Sequence, residues 1–133
     1  MSGSDERATI LVVDDESHIV HVVSLKLRNA GYRVVTAADG EEGLEAALRE
    51  APDLVITDYQ MPVMSGLELC EGLRKHEATA RTPALMLTAR GFGLSDEALA
   101  GARVSGVLTK PFSPREVLGE VQRLIGEGAE VKT

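Results

Sequence analysis

Short, continuously apolar runs alternate with amphipathic stretches along this chain. Thr9-Ile10-Leu11-Val12-Val13 is β-branched and apolar throughout, the mark of a strand covered on both faces. Leu54-Val55-Ile56-Thr57, Ala84-Leu85-Met86-Leu87 and Val107-Leu108-Thr109 read the same way. Arg33-Val34-Val35-Thr36-Ala37 is a fifth strand, flanked by polar residues and so placed nearer a sheet edge. The intervening stretches have helical spacing. Ile19, Val22, Val23 and Leu27 share one face of a first helix, which Gly31 stops. Asp39 caps a second helix, with Glu42 closing a capping-box-like pair and Leu44, Ala47 and Leu48 facing inward. A third runs from about Gly66 to Lys75 on Leu69, Cys70 and Leu73. The fourth starts near Ser95 and is rich in Ala and Gly. In the last, Ser113 caps, Pro114 occupies the first position and Glu116 completes the box. Val117, Leu118, Val121, Leu124 and Ile125 form its apolar stripe.

Strands alternating with helices predict an α/β fold, a doubly wound parallel sheet of five strands with helices on both faces. Crossovers in such a sheet are right-handed, and ligands bind at the carboxyl ends of the strands. The organisation reads as an N-terminal extension over 1–8, one domain over 9–125 and a tail over 126–133. There is no internal repeat and no linker.

Composition narrows the function. The chain has 133 residues, a net charge of −7, and 44% apolar against 26% charged residues. That length buries one core without metal or disulfide. The acidic balance disfavours direct contact with nucleic acid or an anionic membrane. A single cysteine, Cys70, makes no internal disulfide and reads as a small buried hydrophobe. No apolar run reaches the length of a membrane span, and no hydrophobic signal region opens the chain. These features together predict a cytoplasmic protein.

Chemistry concentrates where the apolar runs end. Asp14 and Asp15 follow the first strand, Asp58 the third, Thr88 the fourth and Lys110 the fifth. A parallel sheet brings those five positions to one edge. Three crowded carboxylates repel one another, and a hard divalent cation with oxygen ligands, Mg²⁺, relieves that repulsion. A carboxylate so held can act as a nucleophile, and Lys110 and Thr88 can stabilise charge on a transferring phosphoryl group. One Asp of this kind is ordinarily a cap or loop residue; five residues in this arrangement are not. His18 and His21 share a helix face but have no third ligand nearby in sequence, and His76 reads as a surface residue. Met61 and Met64 read as packing beneath the loop after Asp58. Gly91 and Gly93 loosen the segment before the fourth helix.

Four pieces in order, Val13-Asp14-Asp15-Glu16, Asp58 through Gly66, Thr88-Ala89 and Lys110-Pro111-Phe112, resemble the response-regulator receiver family of two-component signalling over about Thr9 to Ile125. The resemblance implies the flavodoxin-like receiver fold with strand order 2-1-3-4-5. It implies Asp58 as phosphoacceptor. Asp14, Asp15, Asp58 and the Gln60 backbone carbonyl would form the Mg²⁺ site. Lys110 would pair with the phosphoryl oxygens, the backbone at Tyr59 and Ala89 would contact them, and Lys110–Pro111 would be cis. Thr88 and Val107 would be the switch positions, with signalling through the fourth helix, fifth strand and fifth helix. A sensor histidine kinase or histidine phosphotransfer protein would be the donor and a downstream protein the target. Such a domain is a self-modifying substrate, not a turnover enzyme. Two departures stand out. The family often has Tyr or Phe where this chain has Val107, so the aromatic readout is absent or altered. Ser105 and Gly106 stand where transcription-factor members often carry acidic residues, which weakens the case for their dimer. Gln60 and Arg90 occupy positions that tune phosphoryl lifetime.

Other functions fit less well. A haloacid-dehalogenase-type phosphatase needs Asp-x-Asp after the first strand, and this chain has Asp14-Asp15-Glu16. A flavin or dinucleotide module needs a phosphate loop there, where these acids repel phosphate. A phosphorylation-independent binding module would be expected to lose an acid or the lysine. A phosphorelay intermediate on the same fold remains an alternative role.

Overall fold

The computed structural model describes residues 7–89 and 94–125. Its elements are β1 (Thr9–Val13), α1 (Ser17–Asn29), β2 (Arg33–Ala37), α2 (Gly40–Glu50), β3 (Leu54–Asp58), α3 (Gly66–Arg74), β4 (Ala84–Ala89), α4 (Asp96–Gly101), β5 (Gly106–Lys110) and α5 (Pro114–Ile125). All strand pairs are parallel, and the order is β2-β1-β3-β4-β5, as expected. The pairing register sets Val13 beside Thr57 and Asp58 beside Leu87. The ends that carry Asp14, Asp58, Thr88 and Lys110 therefore lie along one sheet edge.

Strand alternation divides the core in two. Ile10, Val12, Leu54, Ile56, Leu85 and Leu87 pack with Val23 and Leu27 of α1 and Val117 and Val121 of α5. Leu11, Val13 and Val55 turn the other way, onto Ala46 and Ala47 of α2 and Leu69 and Leu73 of α3. Continuous apolar runs are needed in β1 and β3 because both faces of each strand are covered.

Local chemistry starts the helices where expected. Asp39 Oδ1 accepts from the Glu42 N–H at 2.8 Å, while Glu42 Oε1 accepts from the Ala38 N–H at 2.6 Å, one residue before the cap itself. Ser113 and Glu116 form a reciprocal box. Another box, Ser65 with Glu68, opens α3 directly after the loop that follows Asp58.

Two packing expectations are corrected. Leu48 is exposed rather than inward. At Gly43 a Cβ would stand 2.9 Å from Val13 Cγ2, so α2 lies close to the sheet and presents Gly43, Ala46 and Ala47 to it, while Gly40 abuts Met64. That close approach rotates Leu48 toward solvent. β5 was expected to be covered on both faces. It is an edge strand of alternating burial, with Val107 38% exposed. α4 spans six residues, with none fully buried among its described positions, and leaves that face of β5 partly open.

Gly66 shows how tightly the phosphoacceptor loop is built. Its N–H donates to the Tyr59 carbonyl at 2.8 Å, and a Cβ there would overlap the Asp58 carbonyl oxygen. That overlap is with backbone, so no side-chain rotation relieves it. Gly66→Ala is therefore expected to destabilise the fold by about 1–3 kcal/mol, the usual range for overpacking. Urea denaturation of the two proteins measures it; equal midpoints would show that the loop has slack.

Candidate metal and phosphoryl site

Asp14 continues the parity of Ile10 and Val12, and Asp58 that of Leu54 and Ile56, so both carboxylates emerge on the α1/α5 side of the sheet. Both are nearly inaccessible, at 1% and 3% exposure, whereas Asp15 is exposed. One carboxylate oxygen from each of Asp14, Asp15 and Asp58 falls within a set no more than 4.8 Å apart. Lys110 reaches in from the end of β5, with Nζ 2.8 Å from Asp58 Oδ1. The Lys110–Pro111 peptide bond is cis. The strand-end residues separated in sequence thus meet in one cluster.

Burial sets the electrostatics. It pushes the Asp14 carboxyl up from 3.8 to about 6, reinforced by the Asp58 charge and only partly opposed by the Glu16 N–H. That N–H donates to Asp14 Oδ1 at 2.9 Å. Asp58 is also raised, first by burial and then by Asp15 and Glu16, despite the hydrogen bond and charge of Lys110. Burial pulls Lys110 down, but the hydrogen bond and charge of Asp58, with Asp14 and Glu16, reverse this and leave it raised. The cluster therefore carries more negative charge than one lysine satisfies.

Asp14 gives the test of fit for a cation. Its Oδ2 is buried with no hydrogen-bond partner among the described residues. A buried carboxylate oxygen without a partner is costly, and a cation would satisfy it. The donor set is all oxygen, which suits Mg²⁺ better than softer metals.

A pH dependence follows. Because the folded-state value of Asp14 is raised, its neutral form favours folding at low pH, and that contribution fades as pH climbs from 3.8 toward about 6. Without divalent cations, the cost from this group between pH 4 and pH 7 is on the order of 2 kcal/mol. Asp14→Asn should flatten that part of the stability–pH curve. An unchanged slope in the variant would assign the dependence to other groups.

The remaining expected residues are placed as follows. Thr88 is 8% exposed in β4, and its hydroxyl donates to the Ala89 carbonyl at a long 3.4 Å. Thr88 and Val107 share the sheet face opposite Asp58, with Val107 beside Met86 in the register. Gln60 is exposed in the loop after β3, and Ala89 is half-buried at the end of β4. The Tyr59 N–H donates to the Leu87 carbonyl at 2.8 Å, continuing the ladder between β3 and β4. Met61 is buried and Met64 half-buried beneath the loop. Cys70 is buried, and burial pushes its thiol up to about 11. His18, His21 and His76 are exposed. Arg90, Gly91 and Gly93 lie outside the described residues.

Sequence reading passed over Glu16 as a member of the site. Its Oε1 lies 3.4 Å from Lys110 Nζ. The available signal was its position directly after the acidic pair.

Comparison with known proteins gives a consistent result. A family model described as "Response regulator receiver domain" matches residues 10–122. Alkaline phosphatase synthesis transcriptional regulatory protein PhoP of Bacillus subtilis is 41% identical over 116 residues, 87% of this chain and 48% of PhoP. Phosphate regulon transcriptional regulatory protein PhoB of Pseudomonas aeruginosa is 35% identical over 119 residues, 88% of this chain and 51% of PhoB. The chain spans about half the length of these curated relatives. Among solved structures, chemotaxis response regulator CheY4 of Vibrio cholerae has a TM-score of 0.82 at 38% identity, covering 89% of this chain and 98% of CheY4. The receiver domain of sensor histidine kinase PA1611 of Pseudomonas aeruginosa was solved with a magnesium ion in its active-site cleft. It has a TM-score of 0.80 at 32% identity, covering 91% of this chain and 99% of that one.

Proposed function

This chain belongs to the response regulator receiver domain family, and on that footing we propose that it is a phosphorylation-dependent switch that takes a phosphoryl group onto Asp58 with Mg²⁺ bound at Asp14, Asp15 and Asp58. One observation carries the reading. The Lys110 ammonium is 2.8 Å from Asp58 Oδ1, inside a cluster to which Asp14 and Asp15 also contribute oxygens. A structural ion pair needs no further buried carboxylate, and Asp14 has an oxygen without a partner.

The chemistry is transfer from a phosphohistidine on a kinase or phosphotransfer partner. An Asp58 carboxylate oxygen attacks phosphorus. The new O–P bond forms as the N–P bond breaks, and the imidazole leaves. Asp14, Asp15, Asp58 and the Gln60 carbonyl would hold Mg²⁺, which would supply charge neutralisation. Lys110 already donates to Asp58 and redirects an N–H to a phosphoryl oxygen. Thr88 gives up its long bond to the Ala89 carbonyl and turns toward the new group. That movement rebalances two states of one domain, and the surface formed by α4, β5 and α5 changes with it. Val107, half open on that face, replaces a swinging ring with a short branched side chain.

The domain modifies itself and turns over no separate substrate. Among the described residues no helix is long and apolar enough to cross a membrane. We place the domain in the cytoplasm, where its donor and its downstream protein partner are reached. The test is beryllofluoride, a phosphoryl mimic, with thermal melting as readout. A rise in Tm that needs Mg²⁺ and beryllofluoride together, and is absent in Asp58→Ala, supports the reading. No rise with wild-type protein would leave a phosphorylation-independent binding module.

A further inference from the structure

Four acidic side chains, not three, surround the site. Glu16 lies at the N-cap of α1, yet among the described residues its side chain makes no capping bond. It reaches across the sheet edge instead, and its Oε1 stands 3.4 Å from Lys110 Nζ. Its backbone is fixed from the other side, because its N–H donates to Asp14 Oδ1. The residue therefore bridges the two halves of the site, main chain on the acidic half and side chain on the lysine. Lys110 shares its ammonium between Asp58 and Glu16. The Glu16 side chain is 61% exposed, so it flanks the mouth of the cluster and not its floor.

We propose that Glu16 is a positioning residue that sets the balance between cation and phosphoryl binding at this site. The inference rests on the phosphoacceptor reading and deepens it. A fourth negative charge attracts a divalent cation. The same charge repels an incoming phosphoryl anion and competes with it for the Lys110 donors. The two affinities must then respond to Glu16 with opposite sign. A side chain that only stabilised the fold would move both in the same direction, or neither.

Glu16→Gln keeps the shape and an acceptor for Lys110 but removes the charge. Glu16→Ala removes both. Mg²⁺ affinity is measured by calorimetric titration of wild type and both variants at low ionic strength. Beryllofluoride affinity is measured at saturating Mg²⁺. The expected result for Glu16→Gln is Mg²⁺ binding weakened and beryllofluoride binding tightened, each by roughly three- to tenfold, the scale for a half-exposed charge a few ångströms away. Both changes should shrink in high salt, because the charge is open to solvent. Glu16→Ala should tighten beryllofluoride at least as much, since no acceptor then competes for Lys110. Affinities that fall together, or do not change, overturn the proposal. Wild-type protein that binds Mg²⁺ but not beryllofluoride overturns the phosphoacceptor reading itself, and this inference with it.

Discussion

Asp58→Ala is expected to do two things at once: abolish phosphorylation and raise the melting temperature of the metal-free protein. The first follows because no other carboxylate in the cluster has Lys110 at 2.8 Å. The second is less intuitive, since the substitution breaks an ion pair. The direction of the Asp58 shift decides it. Burial and the charges of Asp15 and Glu16 outweigh Lys110, so ionised Asp58 is a net cost to the folded state at neutral pH. Lys110, left behind, is partly exposed and keeps Glu16 as a partner. A gain of about 1 kcal/mol, or about 4 °C, is expected without divalent cations. Saturating Mg²⁺ should remove or reverse it, because the wild-type carboxylate then has its counter-ion. Differential scanning calorimetry with and without Mg²⁺ checks both halves. A lower melting temperature in EDTA would mean that the pair with Lys110 dominates the repulsion.

Lys110→Ala is the other large effect, and its stability change has the opposite sign. Asp58 loses its one close cation among the described residues while staying nearly inaccessible. Leaving a buried charge unpaired costs several kcal/mol in the extreme. Here Asp58, already raised, is expected to take up a proton instead and limit the loss to about 1–3 kcal/mol. The phosphorylation rate from acetyl phosphate should fall by about 10²- to 10³-fold, the scale of one preorganised donor. The pH at which phosphorylation becomes efficient should also move up, because Asp58 must ionise without the lysine. A variant that phosphorylates at the wild-type rate would remove Lys110 from the chemistry.

The parallel sheet was legible because the signals are local, whereas its strand order came only from the family resemblance. β1 and β3 are buried at every position and so are mostly apolar, and Asp39, Ser95 and Ser113 mark helix starts by their own hydrogen bonds. The site was legible for a related reason. A polar residue at the end of an apolar strand has no packing role there, so Asp14, Asp58 and Lys110 stood out as a set, although each alone reads as a cap, loop or solvated residue.

What escaped depends on relations between distant elements. Leu48 has a helical position like that of Leu44, and only the approach of α2 to Val13 at Gly43 turns it outward. The open face of β5 follows from the shortness of α4, which Val107-Leu108-Thr109 does not encode. Arg74 donates to the carbonyls of Thr79, Ala80, Ala102 and Arg103, tying the end of α3 to the α4–β5 turn. Carbonyl acceptors leave no mark in side-chain sequence, so no pattern announces that tie. The Glu16–Lys110 contact joins residues 94 apart, and nothing local to either names the other.

The claim at the centre is that Asp58 accepts a phosphoryl group. Intact mass after incubation with acetyl phosphate and Mg²⁺ tests it most directly, with Asp58→Ala and an EDTA-treated sample alongside, quenched over a series of short times. The account predicts a single phosphoryl adduct on the parent chain, absent from both controls. An adduct of equal yield on Asp58→Ala, or one indifferent to EDTA, would contradict it.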